Sequence, residues 1–386
     1  MRFPKKLDHK LQKRLNSNAM RSLKPQNNLV DFSSNDYLGM ARNEQVFDKT
    51  HQYLRDNNMQ LNGATGSRLL SGNHDMYEEL ETYLCDFHNA ESALVFNSGY
   101  DANVGFFSSV LQRGDIILYD EFIHASIRDG LKMSDAKGYK FKHNDLENLK
   151  ELLTRHAELV SAPEQEIYIV TESIFSMDGD APNLIKILEL GKKYGAHLVV
   201  DEAHAVGLFG DKGRGIVQDL GIEEAIFARI ITFGKAIGSH GAAILGSSLL
   251  KEYLVNFSRS LIYTTGLSPH AVATIKMVYT LINNNQTTIE SLKNKITYFR
   301  RRIQELNMGK IFIESNSAIH CCVIHGNERV KQGAAQLQQR GFDVKPILSP
   351  TVPEGQERLR FCLHSYNSEK EIDEVLETLR IFVTSY

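Results

Sequence analysis

His197-Leu198-Val199-Val200-Asp201-Glu202-Ala203-His204 decides how this chain folds: an apolar run of strand length ends abruptly in two carboxylates and an imidazole. Similar strand-like runs occur at 93–96, 116–119, 139–142, 167–170, 226–231 and 242–245, mostly alternating with segments of helix length. That alternation predicts a largely parallel sheet covered by helices on both faces. Such sheets bind ligands outside the carboxyl ends of their strands. The polar residues that follow each run are therefore the candidates for function.

Asp201 ends one run, and Thr232-Phe233-Gly234-Lys235-Ala236-Ile237-Gly238 follows another. A lysine amine is a nucleophile only when neutral, and burial favours the neutral form. Gly234, Ala236 and Gly238 predict room for a flat ring against the backbone, and a carboxylate such as Asp201 keeps a pyridine nitrogen protonated. Pyridoxal phosphate satisfies both, with Lys235 as its imine partner and His204 within reach of the ring oxygen. After run 93–96, Asn97-Ser98-Gly99-Tyr100 opens a helix whose first amides suit a phosphate, although Ser98 also reads as an ordinary cap. His124 follows run 116–119 and suits stacking on a planar ring. Glu172 lies in the polar segment after run 167–170. The glycines of Gly210-Asp211-Lys212-Gly213-Arg214-Gly215 have the wrong order for a dinucleotide fingerprint, so this stretch reads as a loop.

The remaining chain frames that core. Its 386 residues exceed one hydrophobic core, which predicts an N-terminal segment 1–45, a large domain 46–285 and a small α/β domain 286–386. A basic helix is expected over 5–23, and Met76, Leu80, Leu84 and Phe87 mark an amphipathic one. The small domain reads as strands at 318–324, 342–347 and 358–363 with helices at 328–340 and after Ser368, where Glu371 completes a capping box. Arg360, on an alternating strand, suits a carboxylate or is simply a strand residue. The net charge of −3 offers no basic stripe for nucleic acid, and no apolar run reaches the length of a membrane span. With no secretory h-region, the chain is expected to be soluble and cytoplasmic. Cys85, Cys321, Cys322 and Cys362 show no CxxC spacing and read as reduced thiols, and no metal is expected.

Phe32-Ser33-Ser34-Asn35-Asp36-Tyr37-Leu38-Gly39, Phe175-Ser176-Met177-Asp178-Gly179-Asp180, Asp201-Glu202-Ala203-His204, Thr232-Phe233-Gly234-Lys235 and Pro350-Thr351-Val352-Pro353 resemble, in order and spacing, the signatures of the α-oxoamine synthases. These are pyridoxal-phosphate enzymes of the aspartate-aminotransferase fold, fold type I. The resemblance implies that Lys235 carries the cofactor and moves protons, that Asp201 pairs with its ring nitrogen and that His124 stacks on it. It implies that Ser98, Gly99, Tyr100, Glu172, Ser176, His204 and Thr232 surround the ring and phosphate. Thr264 or Thr265 would reach the phosphate from a second copy in a homodimer with shared sites. Arg21, Asn35, Thr351 and Arg360 would handle the substrates. The implied reaction is decarboxylative condensation of an amino acid with an acyl thioester of coenzyme A or a carrier protein. L-Alanine with a pimeloyl thioester is the favoured pair, with glycine and acetyl or serine and a long acyl chain as alternatives. A catalytically silent partner subunit is the rival from another class, and such subunits lack the lysine retained here.

Overall fold

The computed structural model describes residues 3–23, 28–157 and 165–384, which divide into two compact units. Unit 1 holds residues up to 34, 177–180 and 292 onward, and unit 2 holds 35–176 and 181–291. In chain order the strands among the described residues are β1 (Val30–Asp31), β2 (Ser92–Phe96), β3 (Ile116–Asp120), β4 (Lys137–Phe141), β5 (Ile167–Glu172), β6 (His197–Asp201), β7 (Ala228–Thr232), β8 (Ala242–Gly246), β9 (Ile319–Val323), β10 (Phe342–Asp343), β11 (Lys345–Ile347) and β12 (Arg358–Cys362).

Unit 2 is built on a seven-stranded sheet in the order β2-β8-β7-β6-β5-β3-β4. Its ladders are parallel except those of β8, which runs antiparallel to both β2 and β7. Successive side chains of a strand point to opposite faces, and the two core clusters show it. Ile117, Tyr168, Val170 and Val199 join Phe106 and Phe107 on one side. Ile116, Leu118, Ile169, Leu198 and Val200 join Leu149, Leu153 and Leu188 on the other. Each such buried side chain stabilises the fold by about 1.5–3 kcal/mol relative to exposure. This two-sided demand is why the strands read as unbroken apolar runs. The helix Asp75–His88 buries Met76, Leu80, Leu84 and Phe87 along one face, as their spacing predicts.

Unit 1 carries the antiparallel sheet β11-β12-β9, and β1 pairs in parallel with β10. That pairing places the residues just before Asn35 in the unit of the C-terminal strands. The first helix spans Lys5–Asn16 and buries none of its residues, so it stops well short of residue 23. The run 342–347 is two short strands rather than one, broken at Val344. The last helix, Glu369–Thr384, starts at the expected capping box: Glu371 N donates to Ser368 Oγ at 3.2 Å and Ser368 N donates to Glu371 Oε2 at 2.7 Å. Adjacent Cys321 and Cys322 are both buried thiols, and burial pushes Cys322 up to about 12. No helix among the described residues is long and apolar enough to cross a membrane.

Candidate active site

At the rim of the unit 2 sheet, one cavity of about 220 Å³ gathers what the strands deliver. The helix after β2 supplies Ser98, Gly99 and Tyr100, the loop after β3 supplies His124, and β5 and β6 end in Glu172 and Asp201. His204 follows β6, Thr232 closes β7 and Lys235 lies three residues on. Asn35 is the last of the sequence-predicted residues that line the cavity. The strand-end residues meet because β2, β3, β5, β6 and β7 run in one direction and end at the same edge.

Ser98 caps the helix Gly99–Val110 by accepting from Asp101 N, leaving the opening amides of Gly99 and Tyr100 without a preceding helical carbonyl. A Cβ at Gly99 would lie 2.7 Å from Thr232 Cγ2, so a larger residue there would force the threonine or the helix start to shift. Thr232 Oγ1 is buried beside this helix start and has no hydrogen-bond partner among the described residues. An orphaned donor next to opening helix amides fits a phosphate. On the cavity's other side, Asp201 accepts from Ala203 N through Oδ1 and from Asn103 Nδ2 through Oδ2, at 2.9 and 3.0 Å. It is a fixed, buried carboxylate suited to a pyridinium nitrogen. His204 Nδ1 shares a 2.7 Å hydrogen bond with the buried Tyr37 hydroxyl, which orients the imidazole. The residues present thus fit pyridoxal phosphate at each of its polar groups.

His124 Nδ1 accepts from Ser126 N at 3.2 Å, so the imidazole caps its own following helix, Ala125–Met133. Its ring opens on the cavity, yet the surrounding protein withdraws it from water and lowers its proton affinity below the ordinary imidazole range. The charge of Lys235 lowers it further, against the opposing pull of Asp201. Glu172 is buried and accepts from His124 N at 2.6 Å. Burial, then repulsion from Asp201, raises its carboxyl well above the carboxylate range.

Several expectations change. Of the small residues flanking Lys235, only Gly234 lines the cavity. Gly238 instead has φ +63°, and a Cβ on it would sit 2.2 Å from Ala41 N, while Ala236 is buried against Gly207. The glycine is required for chain packing and not for the ring. Ser176 lies in the turn after β5 outside the cavity lining. Thr264 and Thr265 also lie outside it, held by Asn97 Nδ2, which donates to Thr264 Oγ1 at 3.3 Å and to the Thr265 carbonyl. Arg21, Thr351 and Arg360 belong to unit 1, where Arg21 and Thr351 are exposed and Arg360 is buried on β12. The sequence reading missed Asn103, Ser126, Ala203, His240 and Gly241 as lining residues. His240 and Gly241 precede β8, and only its antiparallel course brings a strand's amino end to this rim. Asn103 carried a signal, lying one turn into the helix from Gly99.

The profile of the family Aminotransferase class I and II matches residues 27–379. The 8-amino-7-oxononanoate synthase of Emericella nidulans is 41% identical over 367 residues, covering 91% of this chain and 88% of that protein. That of Lysinibacillus sphaericus is 37% identical over 350 residues, covering 90% and 87%. Among solved structures, serine palmitoyltransferase from S. paucimobilis with bound PLP–myriocin aldimine superposes with a TM-score of 0.87 at 26% identity, covering 98% of this chain and 97% of that one. The 8-amino-7-oxononanoate synthase of Francisella tularensis gives 0.77 at 27% identity, covering 92% and 98%. The chain belongs to the aminotransferase class I and II family, on the branch of pyridoxal-phosphate-dependent α-oxoamine synthases to which the 8-amino-7-oxononanoate synthases belong.

Proposed function

We propose that the chain condenses L-alanine with a pimeloyl thioester, with loss of carbon dioxide, to give 8-amino-7-oxononanoate. The observation that carries this reading is the convergence of Lys235, Asp201 and the start of the Gly99–Val110 helix on one small cavity. When bound there, pyridoxal phosphate supplies an aldehyde for amines and a ring that accepts electrons from the substrate α-carbon. Lys235 Nζ would hold the cofactor and would serve as the base and acid for the substrate α-proton. Asp201 keeps the proton on the ring nitrogen. The amides of Gly99 and Tyr100, with Thr232 Oγ1, hold the phosphate. His124 would cover the ring and exclude water from it, and His204 would donate toward the ring oxygen. Glu172 supports the backbone of His124. Asn35, which lines the cavity, would meet the substrate, whereas Arg21, Thr351 and Arg360 are assigned to carboxylate and acyl binding by family likeness alone.

The same likeness assigns a cytoplasmic homodimer, with Thr264 or Thr265 serving the partner's site and Ser176 near the ring oxygen or phosphate. A second reading, condensation of serine with a long acyl thioester, draws on the structural likeness to serine palmitoyltransferase. Identities of 37–41% to relatives named 8-amino-7-oxononanoate synthase, against 26% to that structure, favour the first. The test is a matrix of alanine, glycine and serine against acetyl, succinyl, pimeloyl and palmitoyl thioesters, following release of the free thiol. Alanine with the pimeloyl donor is expected to give the highest kcat/KM. One methyl group discriminates by only about 1–3 kcal/mol, so residual glycine or serine turnover is expected. A best rate for glycine with acetyl thioester, or serine with palmitoyl thioester, rejects the proposed pair.

A further inference from the structure

Asn103 sits on the Gly99–Val110 helix, 2% exposed, and touches two residues that line the cavity, Asp201 and Ser126. Its Nδ2 donates at 3.0 Å to Asp201 Oδ2 and at 3.0 Å to Ser126 Oγ. Ser126 is itself fully buried, and its Oγ lies 2.7 Å from His124 Nδ1. The direction of these bonds is settled by chemistry. An amide nitrogen has two hydrogens and accepts nothing, so Ser126 Oγ must receive one of them and is left to donate its own proton. The backbone N–H of Ser126 also points at His124 Nδ1, at 3.2 Å. A nitrogen approached by two donors carries no proton.

We infer that Asn103 is a positioning residue that joins Asp201 and His124 in one directed relay, fixing the Asp201 carboxylate toward the ring nitrogen and His124 as the Nε2–H tautomer. Asn103 Oδ1 has no hydrogen-bond partner among the described residues, which hold the amide by its donor end. Both ends of the relay line the cavity, one at a strand terminus and the other at a helix cap. This arrangement rests on the reading that the cavity holds pyridoxal phosphate, because the relay matters to the reaction only when a ring lies between its two ends.

Asn103→Asp keeps shape but replaces the donor with an acceptor, setting a carboxylate against Asp201 and Ser126. Asn103→Ala removes the donor. Ser126→Ala cuts the relay to His124 while leaving the contact to Asp201. Three readouts separate positioning from plain structure: the cofactor dissociation constant by titration of apoprotein, the position of the bound cofactor's visible band, and the split between kcat and KM for amino-acid α-proton exchange. Hydrogen bonds to charged groups correspond to roughly tenfold or more in an equilibrium or rate. Asn103→Asp is expected to weaken cofactor binding about tenfold, to move the band and to lower kcat at least tenfold with KM nearly unchanged. Ser126→Ala is expected to lower kcat less and to leave cofactor affinity within about twofold. Combined with Asn103→Ala, it should add little on kcat, because both cut one chain. Cofactor affinity, band and kcat of Asn103→Asp all within about twofold of wild type overturn the relay, as do fully additive kcat losses in the double variant. If Asn103→Asp fails to fold, Ser126→Ala with unchanged kcat overturns it. A wild-type protein that develops no visible band with pyridoxal phosphate defeats the underlying reading instead.

Discussion

At the residue scale, the site depends on a few atoms whose surroundings leave no latitude. Gly99 is one, since its hydrogen faces the Thr232 methyl at a distance no Cβ tolerates. Gly99→Ala should push the helix start from β7 and weaken cofactor binding at least tenfold, read by titrating apoprotein with pyridoxal phosphate. Affinity equal to wild type would place the phosphate elsewhere. Lys235→Ala should abolish the yellow band of lysine-bound cofactor, and a variant that keeps the band shows that another amine holds it. Asp201→Asn separates electronics from retention: cofactor remains bound while α-proton exchange falls by orders of magnitude, and exchange at the wild-type rate assigns the ring nitrogen to another residue.

At the scale of elements, buried ionisable groups fix how β6 and β7 meet the loops around them. Arg229 on β7 donates to Glu202 Oε2 at 2.9 Å and to the carbonyls of His88 and Arg214. Glu202, just past β6, also accepts from Val217 N at 3.0 Å. Both side chains are almost fully buried, so removing one charge strands the other. Glu202→Gln should cost about 3–5 kcal/mol in urea unfolding, and a loss below 1 kcal/mol would show the pair to be dispensable. On β9, His320 is buried against Phe299, and withdrawal from water lowers its pKa from 6.5 to about 3. A group whose folded pKa is depressed gives stability that is complete above the unfolded value and lost as pH falls toward the folded one. His320→Leu should therefore flatten the decline of stability between pH 6.5 and 3 by up to about 1.4 kcal/mol per pH unit. Parallel profiles for variant and wild type would mean that His320 already protonates in the folded chain.

At the scale of the whole molecule, the proposed homodimer makes a complementation prediction. Mixed dimers with Lys235→Ala on one chain and Thr265→Ala on the other should regain part of the activity that each parent dimer lacks. Sedimentation showing only monomers at assay concentration excludes shared sites.

The amino-acid sequence by itself determined the alternation of buried strands and helices, because burial on both faces demands unbroken apolar runs at 116–119, 167–170 and 197–200. It also determined that Lys235, Asp201, His204 and His124 line one cavity, since polar residues directly after such runs must fall at one edge of a parallel sheet. The tertiary structure alone decided what depends on partners distant along the chain. The reversed direction of β8, which brings His240 and Gly241 to the rim, is set by its ladders to β2 and β7. The role of Gly238 is set by Met40 and Ala41, nearly 200 residues earlier. The link from Asn103 to Asp201 and Ser126 needs a second helix and a strand end within 3.0 Å of one amide. Local sequence specifies which groups are polar and where a strand stops, whereas hydrogen-bond direction between elements arises only once long-range packing has fixed their separation.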